Sequence, residues 1–277
     1  MSSTVRGAVE LTRPGNVVAA GVLTFVGAFV AGGAADYPLH TAAAVAATML
    51  AIAAGNAIND YFDRDIDAIN QPDRPIPRGA VSPRGALAFS LALFGGAIVC
   101  ALVLPVLAIA IAGVNLVALL VYTEYLKGLP GAGNFVVAYL VGSTFLFGAA
   151  AVGDVAAGAV LCALAALSTF TREVVKDVED IAGDREEGLN TLPIAVGERR
   201  ALVVAALSLV VAVLASPLPY LWEVFGAPYL AVVAVADLVM LYAAYESFSD
   251  PTRGQFLLKY GMFLAVVAFL VGRAAAL

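Results

Sequence analysis

Apolar residues run along this chain in blocks of about twenty, separated by short polar segments. A helix needs about 20 mostly apolar residues to cross a hydrocarbon core. Counting such blocks predicts nine spans, at roughly 15–34, 39–59, 86–104, 106–126, 134–152, 156–175, 200–218, 226–246 and 256–275. The stretch from 86 to 126 is interrupted only by Pro105. As one helix at about 1.5 Å per residue it would overshoot the bilayer, and proline breaks a helix interior, so it divides there. No A-x-A-type site with a polar flank follows the first block, which therefore reads as a membrane helix and not as a cleaved signal.

Two of the polar interruptions carry one pattern. The first contains Asn59, Asp60, Asp63 and Asp67; the second contains Asp177, Asp180 and Asp184. Both read D-x-x-D-x-x-x-D and both follow an even-numbered span. Steps of three and four residues put the three carboxylates of each cluster on one helix face, with Asn59, Asp63 and Asp67 aligned at i, i+4 and i+8. Like charges so placed repel unless cations neutralise them. Asn59, Asp63, Asp67, Asp180 and Asp184 are thus the leading metal ligands, with Asp60 and Asp177 as further ligands or their supports. The shared pattern suggests an internal duplication within one domain spanning 1–277, with halves of about 1–130 and 131–277.

Composition agrees with a polytopic, all-α membrane protein. The chain is 62% hydrophobic and 13% charged with a mean hydropathy of +0.94, against roughly 25% charged for an average soluble domain. With nine spans, fourteen of the fifteen Lys and Arg fall on one side, leaving only Arg273 on the other. The positive-inside rule makes that side cytoplasmic, and both acidic clusters lie on it. The net charge of −6 resides largely in those clusters. There is no basic, aromatic-interleaved patch for nucleic acid. His40 is the only histidine, which excludes a histidine-built metal site or a Ser-His-Asp triad. Cys100 and Cys162 sit mid-span without ligand spacing and read as small buried apolar groups.

Two carboxylate faces across a cavity suit Mg²⁺, a hard cation commonly shared between one or two carboxylates and substrate phosphates. Such a clamp would stabilise a departing diphosphate. Arg64, Arg74, Arg78, Lys127 and Lys176 are on the right side to complete it as phosphate contacts. In a membrane the rest of the substrate would be a lipid tail. Loss of diphosphate from an allylic chain leaves a carbocation, which an apolar pocket lined by aromatic rings would shelter. Candidate rings are Tyr61, Phe62, Tyr122, Tyr125, Phe135, Tyr139, Phe145, Phe147 and Phe170, with Tyr122 and Tyr139 foremost. Asn115 and Asp237 are polar positions inside spans and so of interest by default.

On these residues the chain resembles the UbiA superfamily of intramembrane prenyltransferases. The two Asp motifs, the R-P-I-P-R-G run from Arg74 to Gly79, and Tyr122 to Lys127 followed by Gly133 and Asn134 carry the likeness over essentially the whole chain. Glu10 to Asn16, Arg172 to Asp184 and Thr191 to Gly197 are most like the archaeal branch that builds ether lipids. The resemblance implies a nine-helix bundle around a central cavity and Mg²⁺-dependent transfer of a geranylgeranyl group from its diphosphate to geranylgeranylglyceryl phosphate. Asp63, Asp67, Asp180, Asp184, Lys127 and Tyr122 would be catalytic, and Arg13 and Asn16 would meet the acceptor's phosphate. No obligate protein partner is expected. The alternative within the superfamily is an aromatic acceptor, such as 4-hydroxybenzoate or a quinone or haem precursor. A transporter fits less well, because its polar site would sit at the midplane and not at one interface. The single-segment D-G…A-R…G…D…D pattern of CDP-alcohol phosphotransferases is absent.

Overall fold

The structure, a computed structural model, describes residues 3–126 and 128–277. Among the described residues it is helical, with no strand. The helices are α1 (Ser3–Leu11), α2 (Pro14–Val30), α3 (Pro38–Phe62), α4 (Arg64–Asn70), α5 (Pro83–Ala101), α6 (Val106–Val121), α7 (Ala132–Ala151), α8 (Val155–Glu179), α9 (Ile181–Glu186), α10 (Leu192–Val196), α11 (Glu198–Ala215), α12 (Leu218–Leu221), α13 (Ala227–Glu246) and α14 (Pro251–Ala274). Pro14, Pro38, Pro83 and Pro251 each open a helix, where the missing N–H costs nothing and the fixed φ is already helical.

Seven helices are long and apolar enough to cross a membrane alone, and an eighth is the pair α1–α2, bent by 46°. The expected span at 106–126 differs. Its α-helix, α6, has 16 residues, and a π turn over Tyr122–Leu126 carries it on. The first span also differs, because the chain bends at Arg13, which adopts the left-handed conformation (φ 51°, ψ 70°) between α1 and α2.

The bundle packs by close helix contacts. α2 crosses α7 where Gly27 faces the Phe145 carbonyl and Gly148 faces the Thr24 carbonyl; a Cβ at either glycine would lie about 2 Å from the opposing oxygen. Two backbones approach that closely only with hydrogen as the side chain, the usual device where lipid supplies no hydrophobic drive between helices. Phe269 meets Phe225 and Tyr229 edge-on, and those two rings are tilted at 46°, within a cluster that also holds Phe145 and Leu161. Large apolar side chains such as Leu39, Val106, Leu214 and Leu238 are more than half exposed, as expected of faces that meet hydrocarbon. The protein is a multi-pass membrane protein.

The feature that positions the site occurs twice. α3 and α8 each have 25 residues. Each stops at an aspartate with near-identical backbone angles, Asp63 at φ −82°, ψ 1° and Asp180 at φ −91°, ψ 3°. A short helix, α4 or α9, then sets off. The continuous helix that an i, i+4, i+8 face requires is therefore broken at the middle aspartate of each motif.

Candidate active site

In the first elbow the outer aspartates turn inward. Asp60 and Asp67 are 4% and 5% exposed, whereas Asn59 and Asp63 lie on the exposed side. The two buried carboxylates share one guanidinium: Arg74 Nη1 donates to Asp67 Oδ2 at 2.5 Å and to Asp60 Oδ1 at 3.4 Å. Arg13 Nη2 donates to the same Asp60 oxygen at 2.6 Å. Its strained backbone is fixed by that bond and by Asn56 Nδ2, which donates to the Thr12 carbonyl at 2.8 Å. Buried charges of this kind persist only when paired. The expected alignment of Asn59, Asp63 and Asp67 on one face is thus corrected, because the break at Asp63 pairs Asp60 with Asp67 instead.

The second elbow is open. Asp177, Asp180 and Asp184 line one cavity of about 140 Å³ together with Glu173, Lys176, Tyr122, Asn134 and Thr191. Asn134 Nδ2 donates to Asp177 at 2.7 Å and Thr191 Oγ1 donates to Asp184 at 3.1 Å. Lys176 lies 3.6 Å from Asp180, both about half exposed. Burial, more than any other influence, raises Asp184 above the ordinary carboxylate range; Asp180 and Glu187 add to this, and Thr191 and Lys176 oppose it. No three carboxylates among the described residues converge tightly enough to form a ready metal cage. The donor set nonetheless fits a hard divalent cation, since Mg²⁺ is commonly held by one or two carboxylates with waters and substrate phosphates filling its remaining positions.

The basic residues expected around the diphosphate are mostly engaged elsewhere. Arg13 and Arg74 hold the first cluster, Arg78 pairs with Glu10, and Arg64 folds back over the Tyr61 ring and carbonyl. Lys176 lines the acidic cavity, and Lys127 lies outside the described residues. Asn16 is exposed on the first turn of α2. Of the expected rings, Tyr122 opens the π turn and faces the acidic cavity. Phe145 lines a second cavity, described next, and Tyr139 lines neither. Phe62, Tyr125 and Phe135 are two-thirds exposed or more.

The second cavity, of about 420 Å³, is bounded by α2, α7, α8, α11, α13 and α14, within the usual range for ligand sites. Its wall is almost wholly apolar, including Leu23, Phe145, Leu161, Met240, Met262 and Phe269. From Leu161 to Glu173 it follows α8 for about 18 Å at 1.5 Å per residue. Asp237, expected only as a polar position inside a span, lies in its wall, where it accepts a 2.6 Å hydrogen bond from Ser216. Glu173 borders both cavities. Sequence reasoning did not assign Glu173 a role, although it lies four residues before Asp177 and extends the same helix face.

An acidic cavity at the bundle's end, joined at one glutamate to a long apolar chamber within it, defines an intramembrane prenyltransferase. The chain belongs to the UbiA prenyltransferase family, which matches residues 20–267. It is 67% identical to the digeranylgeranylglyceryl phosphate synthase of Natronomonas pharaonis, over 98% of each chain. It is 59% identical to that of Haloquadratum walsbyi, over 98% of this chain and 96% of the relative. A solved structure described as a digeranylgeranylglyceryl phosphate synthase in membranes superposes with a TM-score of 0.88 at 34% identity, covering 98% of this chain and 99% of that one. A UbiA homologue from Archaeoglobus fulgidus bound to GPP and Mg²⁺ shares the fold, with a TM-score of 0.72 at 18% identity over 97% of this chain and 98% of that one.

Proposed function

We propose that this protein transfers a geranylgeranyl group from geranylgeranyl diphosphate to the free hydroxyl of geranylgeranylglyceryl phosphate, forming the second ether bond of archaeal membrane lipids. The observation that carries the reading is Glu173, which lines both the acidic cavity and a chamber suited to a long hydrocarbon. The names of relatives at 59–67% identity support the same reading.

The diphosphate lies against Lys176, Asp177, Asp180 and Asp184, with Lys127 as a further contact. The prenyl tail extends past Phe145 toward Phe269. Asp177, Asp180 and Asp184 on one elbow, and Asp63 with Asn59 on the other, backed by Asp60 and Asp67, would hold Mg²⁺, which when bound would neutralise charge on the leaving diphosphate. Arg13 and Arg74 hold the buried carboxylates of the first elbow in place, and Arg64 and Arg78 add positive charge at its rim. The bond from C1 to diphosphate oxygen breaks with its electron pair leaving on the diphosphate. The acceptor oxygen then bonds to C1 and loses its proton. The apolar wall keeps water from C1, and Tyr122, in the wall of the acidic cavity, offers a ring to the developing cation. The site opens to the cytoplasm, as the distribution of Lys and Arg requires. The matching elbows of α3 and α8 support descent from a duplicated half.

The test is a product assay on purified protein in detergent with geranylgeranyl diphosphate and Mg²⁺. Geranylgeranylglyceryl phosphate and 4-hydroxybenzoate are offered separately. An ether-linked lipid phosphate formed only with the first acceptor is expected. A prenylated aromatic instead would overturn the acceptor assignment and leave the fold and metal site standing.

A further inference from the structure

We infer that Arg172, Lys259 and Thr169 form a second anion site, apart from the acidic cavity, that takes the phosphate monoester of the lipid acceptor. The inference rests on the acceptor reading above. All three residues line the apolar chamber beside Glu173. Arg172 stands one turn of α8 inward from Lys176. Its guanidinium is steadied by Glu173 Oε1 at 2.8 Å and Gln255 Oε1 at 3.2 Å, which leaves Nε buried without a partner. Thr169, one turn further along the same face, is 3% exposed, and its Oγ1 also has no partner. Lys259 lies one turn along α14 from Gln255, is exposed, and makes no ion pair among the described residues.

Buried donors without partners are costly and rare, and here two of them belong to residues that line the same chamber as Lys259, which makes no ion pair among the described residues. The acceptor needs such a place. Its phosphate would be repelled by Asp177, Asp180 and Asp184, and Arg13, Arg74 and Arg78 are committed to carboxylates of other elements; Arg172 also pairs with a carboxylate, that of Glu173, but keeps Nε without a partner. Five residues of α8, about 7.5 Å of rise, separate Arg172 from Asp177. A headgroup held at Arg172 and Lys259 therefore brings its glycerol to Glu173, the point where the prenyl C1 enters the acidic cavity.

The experiment measures KM for each substrate in neutral detergent for wild type, Lys259→Gln, Arg172→Gln and Arg172→Lys. Each Gln variant is expected to raise the KM for geranylgeranylglyceryl phosphate about tenfold or more, the loss of one charge-assisted contact. KM for geranylgeranyl diphosphate should stay within about twofold. Discrimination against phosphate-free geranylgeranylglycerol should shrink in parallel, and Arg172→Lys should recover part of the loss. Lys259 is exposed, so its variant reads the site even if Arg172→Gln misfolds. Unchanged acceptor KM in Lys259→Gln, or equal rises for both substrates, would overturn the inference. So would strong competition by an anionic phospholipid that is not an acceptor, because the site would then take any lipid phosphate. Binding of the phosphorylated acceptor alone, without donor or metal, reads the same site if wild type forms no ether product. In that case the acceptor reading fails separately from the anion site.

Discussion

The elbows at Asp63 and Asp180 share spacing, helix length and backbone angles, yet they hold their carboxylates in opposite ways. The first buries Asp60 and Asp67 against Arg13 and Arg74. The second leaves Asp177, Asp180 and Asp184 lining a cavity, with an amide and a hydroxyl as the direct hydrogen-bond donors. The motif sets where carboxylates can stand, whereas the partners supplied from elsewhere decide whether they serve cohesion or remain available to a ligand. The first elbow closes Asp60 and Asp67 in an ion-pair cluster and leaves Asp63 and Asn59 outward, whereas the second keeps all three aspartates on an open cavity.

The largest effect should come from removing a carboxylate on either elbow that faces outward. Asp180→Asn and Asp63→Asn should each lower turnover by about 10²–10³-fold or more, the scale lost when charge stabilisation of a leaving group is removed. Neither should lower the thermal unfolding midpoint, because both side chains are exposed and anchor no buried charge. EDTA should abolish turnover and added Mg²⁺ should restore it. Wild-type rates in both variants, or indifference to chelation, would sink the metal-clamp account.

Arg74 and Lys176 give a sharper contrast. Arg74→Ala strands the buried Asp67 carboxylate and leaves Asp60 to Arg13 alone, and breaking a buried pair costs about 3–5 kcal/mol. Lys176→Ala removes a half-exposed pair at 3.6 Å, and such pairs are worth about 0–1 kcal/mol. Thermal unfolding in detergent should therefore separate the two clearly, with Asp67→Asn partly restoring Arg74→Ala. Equal shifts would mean that the first elbow is as open as the second.

Much of this was legible in the sequence, and the gaps have physical causes. Apolar blocks located the spans because a bilayer demands length and hydropathy at once. They misjudged Val106–Val121, whose α-helix gives way to a π turn that no periodicity announces. The Asp spacing located both elbows, but the face arithmetic assumed an unbroken helix and so grouped Asp63 with Asp67, whereas the break at Asp63 groups Asp60 with Asp67. The tie from Arg13 to Asp60 joins residues 47 apart and depends on a left-handed backbone that nothing local in the sequence requires. The apolar chamber draws on six helices, from a single residue of α11 to more than three turns of α8, so no single segment reveals it. Glu173 could have been found, as the next position inward on the face that carries Asp177.

The smallest effect concerns Asp184. Burial raises its carboxyl above the ordinary value of 3.8, against the hydrogen bond from Thr191 and the charge of Lys176. The folded protein thus binds this proton more tightly than the unfolded chain does. Its contribution to stability is fully present below the unfolded value and is lost as pH rises through the folded one. Metal-free protein should accordingly lose a little stability on passing upward through that window. Asp184→Asn, which keeps an acceptor for Thr191 and cannot ionise, should remove this part of the pH dependence. It should unfold at a slightly higher temperature than wild type at neutral pH while losing turnover. A parallel Asp67→Asn substitution should do the reverse at neutral pH, because it breaks the buried ion pair with Arg74 at 2.5 Å. Unfolding midpoints of the two variants and wild type, measured without metal at about pH 3 and pH 7 to bracket the ordinary carboxylate range, decide the matter. If both substitutions move stability in the same direction at neutral pH, the distinction between a closed and an open elbow fails at the level of single carboxylates.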